Sequence, residues 1–325
     1  MRQGRRTFSN ALAFAVAMLV LPAAAQDWPA RPVRLIVPFA PGGSSDVAAR
    51  VFSQKLSERL GQQVVVDNRS SAGGIVGAEL VARSAPDGYT IGLANVSSQT
   101  ASPLIFSGVT YHPVTSFTHI AFIGTVPVVL IVHPSFPART VGELVRMAKE
   151  TPGKIDFGTA GNGTVGHIVG EMFKLMAGVN ITHVPYRGSA FMFTDLRSNA
   201  IPSGFDALAQ NLENIKAGVV RALAISARAR VRMAPDIPTF VELGYPDLIG
   251  ENWLGISAPA GVPRPIVERL HREVMSIAKD PEVTVRLERF AITHQPLSPA
   301  EFTDFVAKAY ARWGPVIKAA RITVN

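Results

Sequence analysis

Residues 34–52 read RLIVPFAPGGSSDVAARVF. An apolar run of strand character, Leu35 to Phe39, breaks at Pro41, Gly42, Gly43 and two serines, and a helical pattern begins at once. A helix start carries unpaired N–H groups and a partial positive charge, and a glycine-rich turn lets an anion approach that backbone closely. Gly42 and Gly43 clear the space, while Ser44 and Ser45 offer hydroxyls as N-caps or as ligand donors. Taken alone, the segment reads equally as an ordinary serine-capped turn. In the helix that follows, Val47, Val51, Phe52, Leu56 and Leu60 form one apolar stripe closed by Gly61.

The same plan recurs along the chain. In KIDFGTAGNGTVGHIVGEMFKLMAG, residues 154–178, a strand ends near Ala160 and gives way to Gly161, Asn162, Gly163 and Thr164 before a helix containing Ile168, Met172, Phe173 and Met176. THVPYRGSAF, residues 182–191, places Arg187, Gly188 and Ser189 at a third strand end. Ligands of open α/β sheets bind at the carboxyl ends of strands, so three glycine-hydroxyl turns there suit a small acid. Further strands are expected at 89–95, 119–124, 128–133, 155–160, 181–186, 203–208, 220–226 and 253–259, with helices between many of them, the alternation of an α/β fold. Thr140 with Glu143 and Ser298 with Glu301 read as capping boxes.

The second turn also fits the dinucleotide pattern G-x-G-x-x-G at Gly161, Gly163 and Gly166. The next strand ends without the acid that would hold a ribose; Arg187 would suit a ribose phosphate, but Pro185 sits badly in a central strand. His167 at the helix start could touch a ligand or simply pack. The seven histidines form no H-E-x-x-H or H-x-H cluster, and there is no G-x-S-x-G elbow, so no metal site or catalytic constellation is evident.

Length and composition set the frame. The 325 residues, 47% hydrophobic and 17% charged, suffice for two globular α/β domains. Arg2, Arg5 and Arg6 precede an apolar run from Ala11 to Leu21 and then PAAAQ, the pattern of an export signal at 1–25 cleaved after Ala25. The run is too short for a helix spanning a bilayer, which needs about 20 residues. RRTFSN carries a weak twin-arginine hint. Removing those three arginines takes the formal charge from +8 to +5, a mild field that suits small anions. The densest basic group, ARARVR at 227–232, has no aromatic platform beside it, which speaks against nucleic acid. Zero cysteines exclude disulfides and thiol catalysis.

These residues resemble the substrate-binding proteins of tripartite tricarboxylate transporters, the Bug-type periplasmic receptors. The likeness runs in order through WPARPVRLIVPFAPGGSSDVAAR, LGQQVVVDNRSSAGG, APDGYTI, GTAGNGTVGHIVGEMFK, ITHVPYRGSA, RALAISARAR, WLGISAPAGVP and RWGPVIKAA. It implies an α/β, type II periplasmic binding protein fold, with two α/β domains joined by two crossover segments and closing on ligand like a flytrap. Residues 27–127 with 253–325 would form the first domain and 128–252 the second. The implied function is a non-catalytic periplasmic receptor for a small carboxylate (a di- or tricarboxylate, or an aromatic or amino acid) with no cofactor and no metal. It would hold ligand with bridging waters and deliver it to membrane transporter subunits, or present it to a sensor protein. Matching site positions are Phe39, Ala40, Pro41, Gly42, Gly43, Ser44, Asp46, Thr159, Ala160, Gly161, Asn162, Gly163, Thr164, His167, Tyr186, Arg187, Gly188 and Ser189, with Ser97, Ser98 and Thr100 of NVSSQT lining the cleft. Asp206 either meets the ligand's far end or makes a structural hydrogen bond. The chain departs from the family's usual text at Ser71, at Phe191, Met192 and Phe193, and at Asn199 to Ser203, which leaves ligand preference open. The alternative is an exported α/β hydrolase acting on a small carboxylated substrate.

Overall fold

The computed structural model describes residues 28–319 and 322, so the export segment expected at 1–25 lies outside the described residues. The chain opens with β1 (Val33–Val37), α1 (Ser44–Leu60), β2 (Val64–Asn68), α2 (Ile75–Ala82) and β3 (Thr90–Asn95). β1 pairs in parallel with both β2 and β3, and each connection passes through a helix, as parallel neighbours require. A buried one-turn π-helix, Val96–Ala101, and the short α3 (Ser102–Ile105) lead into β4 (Phe117–Val132).

The second domain repeats the scheme: α4 (Val141–Glu150), β5 (Asp156–Thr159), α5 (Val165–Ala177), β6 (Thr182–Pro185), α6 (Ser189–Arg197), β7 (Ser203–Ala207), α7 (Leu208–Lys216) and β8 (Arg221–Ile225). Here β5 is flanked in parallel by β6 and β7. β9 (Glu251–Pro259) then returns to the first sheet, and α8 (Arg264–Ala278), α9 (Pro281–Arg289) and α10 (Pro299–Ala319) follow. Along the whole array the strand order is β2-β1-β3-β9-β4-β7-β5-β6, with β8 also on β4.

The segments expected as separate strands at 119–124 and 128–133 are one strand. β4 pairs with β9 from Phe117 to Pro127, with β7 from Val128 to Val132 and with β8 from Val129 to Val132, so it passes from one sheet to the other without a break. Pro127 stands where the ladder changes partners, where its missing N–H costs least. The change of partners on β4 falls between Pro127 and Val128, while β9 pairs with the first sheet from Glu251 onward, two residues before the boundary expected at 252/253. Pro185, awkward for a central strand, is the last residue of β6, and β6 is an edge strand.

Cores follow the helix stripes. Val51, Phe52, Leu56 and Leu60 of α1 pack with Val33, Leu35 and Val37 of β1 in one buried cluster, and Gly61 closes α1 in the left-handed conformation at φ 69°. Both capping boxes form: Thr140 accepts from the Glu143 N–H, and Ser298 accepts from that of Glu301. Of the three fingerprint glycines, Gly166 has a packing role. A Cβ there would stand 2.3 Å from the Phe205 carbonyl oxygen, so the glycine lets α5 lie directly on β7.

Gly166→Ala should therefore destabilise the protein by about 1–2 kcal/mol, an overpacking penalty at the upper end of about 1–3 kcal/mol less the roughly 1 kcal/mol gained in helix propensity. Urea denaturation measures it, and a neutral or stabilising result would contradict the close contact.

Candidate functional site

The carboxyl ends of β1, β3, β5, β6 and β7 converge on one cleft of about 1060 Å³ between the two sheets. From the first domain come Phe39, Ala40, Pro41, Gly42, Gly43 and Ser45 after β1, Ser70, Ser71 and Gly73 before α2, Asn95 and Ser97 after β3, and Phe106. From the second come Ala160, Gly161, Asn162, Thr164, Val165 and Gly166, then Tyr186, Arg187, Gly188, Ser189, Ala190, Phe191 and Phe193, and finally Asp206, Ala207, Gln210, Asn211 and Asn214. Val128 and Asn252, from the two crossovers, complete the wall.

Helix starts dominate this wall. The N-caps of α1, α6 and α7 are Gly43, Gly188 and Ala207, and none makes a side-chain cap bond. The expectation that Ser44 or Ser45 caps α1 is thus corrected: both fall inside the helix, one and two places past the N-cap. At α5 the N-cap Thr164 Oγ1 accepts from the third helical N–H, His167, leaving the amides of Val165 and Gly166 without a side-chain cap. Such amides stabilise an anion through hydrogen bonds and the helix dipole. Gly42, at φ 93°, and Gly161, at φ 143°, hold backbone conformations that side chains disfavour, and nothing lies within 4 Å of where a Cβ of Gly43 would stand.

Several expected site residues stand behind the wall instead. Asp46 is 3% exposed; its carboxylate accepts from the Gly42 N–H at 3.0 Å, Arg50 Nε at 2.9 Å and Asn68 Nδ2 at 2.9 Å. Burial alone would raise its pKa, but the bonds from Arg50, Gly42 and Asn68 outweigh burial and hold it below the ordinary value. Ser98 is fixed by Asn95, whose Oδ1 accepts both its N–H and its hydroxyl, and Thr100 is wholly buried. Thr159, also wholly buried, accepts from the Gly161 N–H at 3.2 Å and meets His183 Nε2 at 2.7 Å. The Gly163 amide points inward and donates to His167 Nδ1 at 3.1 Å, so neither of those residues faces the cleft. Asp46, Ser98, Thr159, Gly163 and His167 are thus corrected from cleft lining to supports, their polar groups spent on neighbouring atoms, whereas Thr100 lies buried behind the wall with its hydroxyl unpartnered among the described residues. α1 begins at Ser44, whose side chain is not described.

Asp206 makes the structural hydrogen bonds of its second reading. It borders the cleft, yet Oδ1 accepts from Ser189 Oγ at 2.7 Å and Oδ2 from Asn211 Nδ2 at 2.9 Å. Burial raises its pKa, against the opposing bonds from Ser189, Asn211 and the Ala207 amide. Arg187 is the one Lys or Arg among the described residues lining the cleft.

Sequence reasoning missed Ser70, Gly73, Asn95, Phe106, Val128, Val165, Gly166, Ala190, Ala207, Gln210, Asn211, Asn214 and Asn252. For Gln210 and Asn214 the i, i+4 spacing on α7 was the available signal. Ser71, at a departure from the family text, accepts the Val76 N–H at 3.0 Å and so caps α2.

Residues 48–322 match the family described as Tripartite tricarboxylate transporter family receptor. The chain is 34% identical over 305 residues to Protein BugT of Bordetella pertussis (strain Tohama I), covering 94% of each. Among solved structures it resembles R. palustris Rpa4515 with adipate, at TM-score 0.83 and 35% identity, over 91% of this chain and 99% of that one. It also resembles MatC (Rpa3494) from Rhodopseudomonas palustris with bound malate, at TM-score 0.78 and 28% identity, over 89% and 99%.

His167 supplies a pH test of the loop. Burial, aided by the charge of Lys174, pushes its pKa down to about 4, and its ring stacks on His183 at 3.9 Å. The unfolded chain takes that proton near pH 6.5, so the contribution of neutral His167 is fully present above about 6.5 and is lost as pH falls from there to 4. NMR titration should find His167 neutral at pH 5.5 with the Gly163 amide protected. A midpoint near 6.5 would contradict the buried acceptor role.

Proposed function

The chain belongs to the tripartite tricarboxylate transporter receptor family, and on that premise we propose that its cleft takes one small organic carboxylate on the amides of opposed helix starts. It is a solute receptor of the periplasm, not an enzyme, and the hydrolase alternative finds no support among its relatives. Rpa4515 with adipate and MatC with malate carry a small carboxylate in the same fold, which supports that ligand class here.

The observation that carries the reading is the meeting of Gly42–Gly43, Gly161–Asn162 and Gly188–Ser189 across one cleft. With α1 on one side and α5 and α6 on the other, a carboxylate reached from both sides draws the domains together. Hydroxyls and amides such as Ser97, Asn95 and Asn214 suit bridging waters around the ligand's remaining atoms. The bound acid keeps all its bonds, because the wall offers hydrogen bonds and no activated nucleophile. Export with cleavage after Ala25 and delivery of the loaded acid to membrane transporter subunits complete the proposed cycle.

Isothermal calorimetry and thermal shift against a panel of organic acids test this. A true ligand at a hundredfold excess over its Kd should add about 2.7 kcal/mol of stability and be recovered unchanged. Conversion of the acid to product, or indifference to every acid, would refute the proposal.

Gly43→Val tests the clamp itself. Gly43 has φ −78° and ψ 169°, a conformation valine accepts, and open space where the side chain would go. The variant should keep the wild-type circular dichroism and melting temperature while binding at least about tenfold more weakly, about 1.4 kcal/mol. Unchanged affinity would remove this loop from the site.

A further inference from the structure

We propose that the ligand is an arenecarboxylate, with one carboxylate on the helix-start clamp and an aromatic ring sandwiched between the two lips of the cleft. This rests on the receptor reading above and narrows it to one substrate class.

Phenylalanines stand on both lips. Phe39 follows β1 and Phe106 follows α3 on one side, and Phe191 and Phe193 project from the first two turns of α6 on the other. In the core several phenylalanines pair with one another, as Phe122 does with Phe302, Phe157 with Phe205 and Phe173 with Phe240, whereas Phe106 and Phe193 meet the core through aliphatic-rich clusters while part of each ring lines the cleft. Among the described residues, none of the four cleft rings belongs to such a pair. Phe191 is 63% exposed, more than any other large apolar side chain among the described residues. A bare ring on the lip of a cleft that closes gains its contacts only in the closed form. Offset or edge-to-face packing then favours an aromatic guest over an aliphatic one of equal size.

Charge points the same way. Arg187 is the one basic side chain on the wall, and the acid facing the same space, Asp206, is already bonded to Ser189 and Asn211. A second carboxylate on the α7 side would stand close to the Asp206 carboxylate and meet its repulsion, with Arg187 the one cation among the described residues of the wall. A ring bearing neutral hydroxyl or carbonyl groups would instead find donors and acceptors in Gln210 and Asn214.

Calorimetry on the full mature chain, with benzoate, 4-hydroxybenzoate, cyclohexanecarboxylate and adipate as probes, decides the matter. At least one of the two arenecarboxylates should bind about tenfold or more tightly than both cyclohexanecarboxylate and adipate. Phe191→Ala should weaken that arenecarboxylate by about tenfold and adipate by less than about twofold, with Phe191→Leu intermediate. Tighter binding of adipate, or equal binding of cyclohexanecarboxylate, would overturn the aromatic assignment and leave the carboxylate receptor standing. Equal loss for all acids in Phe191→Ala would make the ring a closure contact and also overturn it. Silence from these four probes while another organic acid binds would defeat the aromatic assignment alone, whereas silence from every organic acid defeats the receptor reading as well.

Discussion

Uncapped helix starts facing a shared void constrain everything else in this molecule. A side-chain cap is worth about 1 kcal/mol to a helix, and α1, α6 and α7 do without one. Their N-caps are glycine or alanine, so no side-chain oxygen competes for the amides. In the open cleft water can satisfy those N–H groups, and a carboxylate replaces water with a charge-assisted bond. The binding surface is thus backbone, and its geometry is only as good as the loops that present it.

Those loops are held by polar side chains that, Asp206 apart, do not line the cleft. Asp46 fastens the Gly42 amide to α1 and to β2 through Asn68; Thr159 and His167 take the inward amides of Gly161 and Gly163; Asp206 joins the starts of α6 and α7 through Ser189 and Asn211. Each anchor must stay in one protonation state for its loop to hold. Bonds to Arg50, Gly42 and Asn68 keep Asp46 ionised, while burial keeps His167 neutral.

Glycine and hydroxyl residues immediately after a strand were legible in the sequence, since strand end, turn and helix start are local events. That is why Phe39 to Gly43, Ala160 to Asn162 and Tyr186 to Ser189 fall where the pattern placed them. Which way a polar side chain points is not local. Asp46, Thr159 and His167 lie in those same turns, and only the packing of β2 and β6 beneath them decides that they serve the loops. Gln210, Asn211 and Asn214 were legible only in part for the complementary reason: i, i+4 spacing puts Gln210 and Asn214 on one face, but the rotation that aims that face at a cleft depends on β7 and β4. Likewise two short apolar runs suggested two strands, where the pairing of Phe117–Pro127 with β9 and of Val128–Val132 with β7 makes one.

That long strand links binding to closure. On the first-domain side, Thr125 exchanges backbone bonds with Thr293 at 3.0 and 2.9 Å, and its hydroxyl donates to the half-buried Glu251 at 3.1 Å. Beyond Pro127, the buried Ser226 hydroxyl accepts from the Val128 N–H at 3.0 Å and donates to the Gly250 carbonyl at 2.6 Å. One side chain therefore ties the outgoing crossover to the returning one, so the pair bends together as a single hinge. Val128 and Asn252, the residues next to these ties, also line the cleft floor. The proposed ligand site therefore abuts the hinge, since the residues beside the two crossover ties are part of its wall.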